Sequence, residues 1–253
     1  MRLPWLSPLA SALLLCSVSS LTGAEDLAKP TARIASTPEA SPLTRQLLQV
    51  VWEGSSTSIE LIEDVDGALD ALADGVVDGV MTTGSVAPSS DAIHVATTEL
   101  WWATRPDERS ITSAEWSALL RGLPSGRPRQ LCLRALPDPL EQEWIKRHPQ
   151  DAPLLARLRR TGGALIFYDE GSLLRHLIKT RDAIALFDEG RLRLFGAPLA
   201  RLQIEGAQDV PLKLWYLASK PREHSSAPLS IWERLLQTQT HVPWLRDLGW
   251  RAP

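Results

Sequence analysis

The stretch SIELIEDVDGALDALADGVVDGVMTTGSVAPSS, Ser58 to Ser90, decides how the rest of the chain is read. An alternating apolar segment built on Ile59 and Leu61 runs into the acidic turn Glu63–Gly67. Asp66-Gly67 opens a short helix with Ala68, Leu69, Leu72 and Val76 on one face. A second apolar strand, Val77–Met81, then ends in Thr-Thr-Gly-Ser. This order puts hydroxyls and free backbone N–H groups at strand and helix ends, where small anions and polar solutes are held.

The same alternation continues in both directions. Upstream, Ala32–Ala35 predicts a first strand, followed by Ser36-Thr37-Pro38-Glu39 as a helix start with a hydroxyl cap and Pro and Glu in the first turn. Leu43, Leu47, Leu48, Val51 and Trp52 recur at helical spacing. Downstream, His94–Thr104 predicts a strand on which Trp101 and Trp102 point to opposite faces. The pattern restarts after Arg105-Pro106-Asp107. Thr112 and Glu115 form a capping signal for a helix that ends at Gly122. Strands are expected over Arg129–Arg134, Ala164–Phe167, Ala183–Phe187 and Val210–Ser219. Helices are expected over Asp138–His148, Ser172–Lys179 and Pro228–Thr238, with a tail at His241–Trp250. Strand–helix alternation of this kind predicts an α/β fold with largely parallel sheets.

Met1–Ala24 reads as a secretory signal peptide: Arg2, an apolar centre around Ala12–Cys16, and the small residues Thr22-Gly23-Ala24. The apolar run is too short to span a bilayer. Cys16 would be a lipidation site but for the bulky Leu15 before it. Residues 25–30 form a leader. Of the two cysteines, only Cys132 then remains, so no intramolecular disulfide forms, and its apolar strand predicts a buried, inert thiol. Loss of Arg2 moves the formal charge from −3 to about −4, which offers no field for nucleic acid. The remaining ~230 residues suit two lobes or one large α/β domain.

Five histidines (94, 148, 176, 224 and 241) fall without metal-ligand spacing. No GxSxG elbow, Walker loop or GxGxxG opens a helix, so no catalytic constellation and no cofactor are expected. Two segments echo each other, ALIFYDEGSLL (Ala164–Leu174) and AIALFDEGRLR (Ala183–Arg193). Their pairs Asp169-Glu170 and Asp188-Glu189 are expected to be solvated turns. Trp101 or Trp102 could pack in the core or line a cleft. Arg134 ends an apolar strand just before Ala-Leu-Pro-Asp-Pro. It could hold an anion through a bidentate guanidinium, or pair with Asp138 or Glu141.

Taken together, the chain resembles the substrate-binding proteins of ABC transporters with the type II periplasmic fold, in their phosphate-binding branch. ARIASTPEASPLTRQLL is similar to the first strand, loop and helix of that family, and ALDALADGVVDGVMTTGSVAPSS to its helix–strand–loop segment. ITSAEWSALLRGLPSGRPRQLCLR resembles the passage that begins the second lobe. DAIALFDEGRLRLFGAPLARLQIEG and LRDLGWRAP resemble the return strand and the closing tail. The resemblance implies lobes of residues 31–100 plus 212–253 and of 101–211, each a mainly parallel sheet flanked by helices. It implies ligand contacts at Ser36, Thr37, Asp66, Gly67, Thr83, Ser85 and Arg134, in a cleft that closes by hinge motion. It also implies a periplasmic monomer that carries a small anionic or polar solute to an ABC permease. A membrane sensor is the alternative partner, if the fold serves as a sensory or docking module that has lost phosphate binding. Three departures speak against phosphate itself. The loop after the second strand is acidic, Val86 stands where a carboxylate would follow the loop serine, and Pro137-Asp138-Pro139 follows the arginine.

Overall fold

The computed structural model describes residues 32–52, 59–63, 65, 67–107, 110–124, 129–218, 242–251 and 253. The signal peptide and leader, Asp66 and the helix expected over 228–238 lie outside the described residues.

The first part of the chain builds β1 (Ala32–Ser36), α1 (Ser41–Trp52), β2 (Ile59–Ile62), α2 (Ala68–Ala73), β3 (Gly79–Gly84) and the long β4 (Ile93–Thr104). There follow β5 (Ser110–Ile111), α3 (Ser113–Leu120), β6 (Gln130–Arg134), α4 (Pro139–Arg147) and a 3-10 turn (Pro149–Asp151). Then come α5 (Ala152–Thr161), β7 (Leu165–Phe167), α6 (Glu170–Lys179), β8 (Ala183–Asp188) and α7 (Glu189–Leu194). The chain ends with β9 (Ala200–Arg201), β10 (Gln203–Ile204), β11 (Val210–Ala218) and α8 (Val242–Asp247). The sequence signals locate most of these elements. They miss α5 and α7, and they start α1 too early, because Pro38–Ala40 form a turn before the helix.

Local chemistry explains the helix starts. Thr112 and Glu115 make a reciprocal capping box on α3, the hydroxyl accepting from the Glu115 amide at 3.2 Å and the carboxylate from the Thr112 amide at 2.9 Å. Asp138, Asp169 and Asp188 cap α4, α6 and α7 by accepting from the amides of Leu140, Ser172 and Arg191. Three of the helices that follow strands therefore start on an aspartate. This fixes the loop between strand end and helix.

The main sheet has the order β2-β1-β3-β11-β4-β8-β6-β7. β1 runs parallel to β2 and β3, and β6 runs parallel to β7 and β8. β4 and β11 are antiparallel to each other and join the two parallel sets. The apolar core divides along the same line. Ile34, Leu43, Leu47, Met81, Val95 and Leu214 pack in one cluster, while Leu100, Trp102, Leu131, Leu140, Leu186 and Leu212 pack in another. β4 thus changes cores between Ala96 and Leu100, and β11 between Leu214 and Leu212. The result is a two-lobe α/β fold. Trp102 is wholly buried in one cluster, and Trp101 faces a third on the other side of the sheet. The opposite-face expectation for this pair holds, but neither ring lines a cleft. Cys132 is a free, buried cysteine, and burial pushes its thiol up to about 12.

Residues 242–251 seal the join. Thr97 and Arg251 exchange backbone hydrogen bonds at 2.9 and 2.7 Å. Gly190, in the first turn of α7, lies under the Trp250 indole, and a Cβ there would sit 1.9 Å from Nε1. Gly190→Ala is therefore expected to displace a 4% exposed tryptophan and cost about 1–3 kcal/mol. Urea unfolding followed by tryptophan fluorescence checks this; an unchanged midpoint would contradict the packing.

Candidate functional site

Parallel strands deliver their carboxyl ends to one side of a sheet, and ligands of open α/β sheets bind in the crevice outside those ends. Here β7, β6 and β8 bring Glu170, Arg134 and Arg191 to neighbouring positions along one edge. A cavity of about 240 Å³ lies there. Its wall comes from the turns after β6 and β7, from Arg191, and on the opposite side from Pro38 and Glu39 after β1.

Arg134 donates to the Leu186 carbonyl at 2.7 Å and to Glu170 Oε1 at 3.1 Å. Its guanidinium lies 4.3 Å from the Phe187 ring centroid, a cation–π contact. Arg191 donates to the same Glu170 oxygen at 2.8 Å and stands 3.3 Å from Asp188 Oδ2. It also reaches the Pro38 carbonyl of the first lobe at 3.5 Å. Two cations and two anions thus form one buried cluster. Burial works against ionised Glu170, but Arg191 and Arg134 outweigh it and hold the carboxyl below the usual glutamate value. The Asp188 carboxyl is pushed up, chiefly by burial and against the pull of Arg191.

A second carboxylate bridges the lobes. Glu143 on α4 accepts from the Ser85 amide at 2.9 Å, just after β3. Its other oxygen pairs with Lys146. The amide of the expected anion loop is therefore bonded by a side chain from the opposite lobe.

The residues expected from sequence fare unevenly. Arg134 lines the cavity, but its partner is Glu170, neither Asp138 nor Glu141. Asp138 caps α4, and Glu141 forms a buried pair with Arg159. Arg159 in turn donates to the Arg134 carbonyl at 2.5 Å and braces that loop. Ser36 is turned into the fold, its hydroxyl 3.0 Å from that of Thr44, and Thr37 donates its amide to Met81. Neither lines the cavity, whereas the adjacent Pro38 and Glu39 do. Gly67 precedes the six-residue α2 at a φ of 75°, Thr83 pairs with Leu214 in the sheet, and Asp66 lies outside the described residues. Glu63 forms a fork with Arg45 at 2.5 Å on both oxygens, so it serves α1.

Solvated turns were expected at both acidic pairs, and this needs correction: Asp188 is buried, Glu170 is mostly covered by the two arginines, Glu189 pairs with Arg193, and Asp169 alone of the four is well exposed. Arg191 carried no separate signal. The echo of Asp-Glu-Gly after two strands was the available clue, since both strands run parallel to β6 and end on the same edge. A larger hollow of about 540 Å³ lies between α3, the 3-10 turn and β10. Size does not make it the better site. His148 and Asp151 in its wall are taken up by the Gln208 carbonyl and the Trp144 indole. Among the described residues no group of His, Cys, Asp and Glu could hold a metal, and no helix is long and apolar enough to cross a membrane.

No protein-family model matches the chain, and no curated protein matches its sequence. Solved structures do match. An ABC-type phosphate transport receptor from Vibrio cholerae superposes with a TM-score of 0.62 at 11% identity, over 88% of this chain and 100% of that one. A phosphate-bound protein from Clostridium perfringens, described as a phosphate ABC transporter substrate-binding protein, gives 0.66 at 10% over 88% and 99%. The fold is that of the two-lobe periplasmic binding proteins. The bromide-bound regulatory domain of HypT from Salmonella typhimurium shares it, with a TM-score of 0.53 at 17% identity over 82% and 94%. Likeness at this level of identity shows the binding-protein fold and leaves the ligand open.

Two outcomes test the site. Glu143→Ala should cost about 1.5–3 kcal/mol, the range for a hydrogen bond to a charged group, and speed hydrogen exchange at the Ser85 amide; protection unchanged at Ser85 would refute the bridge. Glu170, with its depressed pKa, contributes stability that is complete above the ordinary value of 4.5 and is lost as pH falls through the lower folded value. Asp188, with a raised pKa, runs the other way. The thermal-midpoint advantage of wild type over Glu170→Gln should therefore be full at neutral pH and shrink below pH 4.5; a pH-independent advantage would count against the ionised pairing.

Proposed function

We propose that the protein is an exported solute-binding protein that holds a small anionic or polar solute between its lobes, for delivery to an ABC permease. The observation that carries this reading is the convergence of Arg134 and Arg191 at one wall of a cavity that Pro38 and Glu39 close from the other lobe. Residues 31–100 with 212–253 form one lobe and 101–211 the other, in line with where the apolar clusters change over on β4 and β11. The role is that of a receptor, not an enzyme, and the expected compartment is the periplasm. In this reading Arg134 and Arg191 neutralise charge, and Thr83 and Ser85, at the end of β3 and outside the lining of the cavity, would add hydrogen-bonding groups.

Phosphate is a poor default ligand here. Glu39, Asp138, Asp169 and Glu170 all wall the cavity, and a like charge at 4 Å costs about 4 kcal/mol at an effective dielectric near 20. A second reading rests on the same carboxylates. With Glu170 on both arginines and Glu143 on Ser85, the fold would serve as a sensory or partner-docking module that no longer takes phosphate.

A thermal-shift screen of the mature protein against phosphate, sulfate, molybdate, phosphonates and amino acids separates the two. A bound solute at a hundred times its Kd adds about 2.7 kcal/mol. The expected result is a shift with one solute class that Arg134→Ala abolishes. A shift that survives Arg134→Ala would overturn the site assignment, and no shift with any solute would favour the docking reading.

A further inference from the structure

Resting on the cleft reading above, we propose that Glu170 is a tethered occupant of an oxyanion site formed by Arg134 and Arg191, and that a solute enters this site only by displacing it. A single oxygen, Oε1, takes a hydrogen bond from each guanidinium, at 3.1 and 2.8 Å. That is where one oxygen of a bound anion would sit. The carboxylate is also the accessible member of the trio: its side chain is 25% exposed, against 15% for Arg134 and 10% for Arg191. All three side chains line the cavity, with Glu170 seated across the two arginines.

The backbone is arranged so that this side chain can leave without unfolding its helix. Glu170 is the first residue of the ten-residue α6, and the cap that holds the helix start is Asp169, through the Ser172 amide at 2.7 Å. Withdrawal of the Glu170 carboxylate would leave a position between two guanidiniums and beside a helix N-terminus, which favours negative charge. The carboxylate leaves part of the site's donor capacity unused. Arg134 Nε is buried and makes no hydrogen bond, while Arg191 Nε faces Asp188 Oδ2 at 3.3 Å.

This arrangement selects among anions. A tethered carboxylate competes at a high effective concentration, on the order of millimolar or above. A free monocarboxylate offers the guanidiniums nothing that Glu170 does not already offer, so it is excluded at ordinary concentrations. A tetrahedral oxyanion brings additional acceptor oxygens and charge to the pair, including an acceptor for the unbonded Arg134 Nε. Glu170 is thus a specificity element as well as an occupant, setting a threshold, raised further by the acidic wall, that a tetrahedral oxyanion passes more readily than a simple carboxylate does.

The test is a titration of sulfate and of acetate into wild type, Glu170→Ala and Glu170→Gln, read by calorimetry. Glu170→Gln keeps the shape and one acceptor oxygen without the charge, so it guards against a folding failure of the alanine variant. Sulfate is expected to bind Glu170→Ala at least tenfold more tightly than wild type, and Glu170→Gln to fall between them. Acetate should bind Glu170→Ala alone, replacing the missing carboxylate, and adding Arg134→Ala should remove both gains. The proposal is overturned if folded Glu170→Ala or Glu170→Gln takes sulfate no more tightly than wild type. The two readings separate cleanly. A wild type that binds no solute while the Glu170 variants take sulfate ends the uptake reading and keeps this one. A wild type that binds a solute with an affinity unchanged in both variants does the reverse.

Discussion

The antiparallel pairing of β4 with β11 is the constraint on which the rest of the structure depends. β4 has twelve residues and β11 nine, long enough for the couple to join both parallel sets of the one main sheet. Over Ile93–Leu100 the strand β4 pairs with β11, and over Leu100–Ala103 it pairs with β8. Every other strand of the main sheet takes its place by pairing outward from this couple. Because β1 and β3 run parallel in one lobe, and β6, β7 and β8 in the other, each lobe presents the carboxyl ends of its strands to the crevice between them. The crevice is therefore a product of topology before any side chain is considered.

What fills the crevice follows from the cost of burying charge. An arginine removed from water must find an anion or several acceptors, or it costs several kcal/mol. Arg134 meets this with a backbone carbonyl, an aromatic face and Glu170 Oε1; Arg191 meets it with the same Glu170 oxygen and with Asp188. The chain thus satisfies its own binding groups internally. A receptor built this way differs from one with open donors, because any solute must offer more than the internal carboxylate does. The Glu143 bond to the Ser85 amide adds a tie between the lobes by the same chemistry.

Much of the fold was legible along the chain, for identifiable reasons. The Thr112–Glu115 box, the Asp138-Pro139 start, the continuous apolar run of β8 and the apolar alternation at the start of β11 are local signals, and they mark the elements observed. α5 was missed because its Arg-rich sequence, Ala152–Thr161, buries only a narrow stripe around Leu155 and Leu158. The start of α1 was misplaced because Ser36 and Thr37, which look like caps, are used by the sheet and by Thr44. Arg134 was legible as a charged residue at a strand end. Its partner was not, since Glu170 lies thirty-six positions away and the nearer Asp138 and Glu141 have other duties.

By itself, then, the sequence determined the α/β alternation, the restart that produces a second lobe, and the placing of an arginine at a strand terminus. These depend on periodicity and capping, which act over a few residues. Tertiary structure alone decided that the two Asp-Glu-Gly turns converge beside β6, that Arg191 joins Arg134, and that Glu170 and Glu143 occupy the donors first read as an anion cradle. Those outcomes depend on which strand ends share an edge and on how buried charges pair across the lobes. Both are set by long-range packing, and neither is encoded in any short stretch such as Ser58–Ser90.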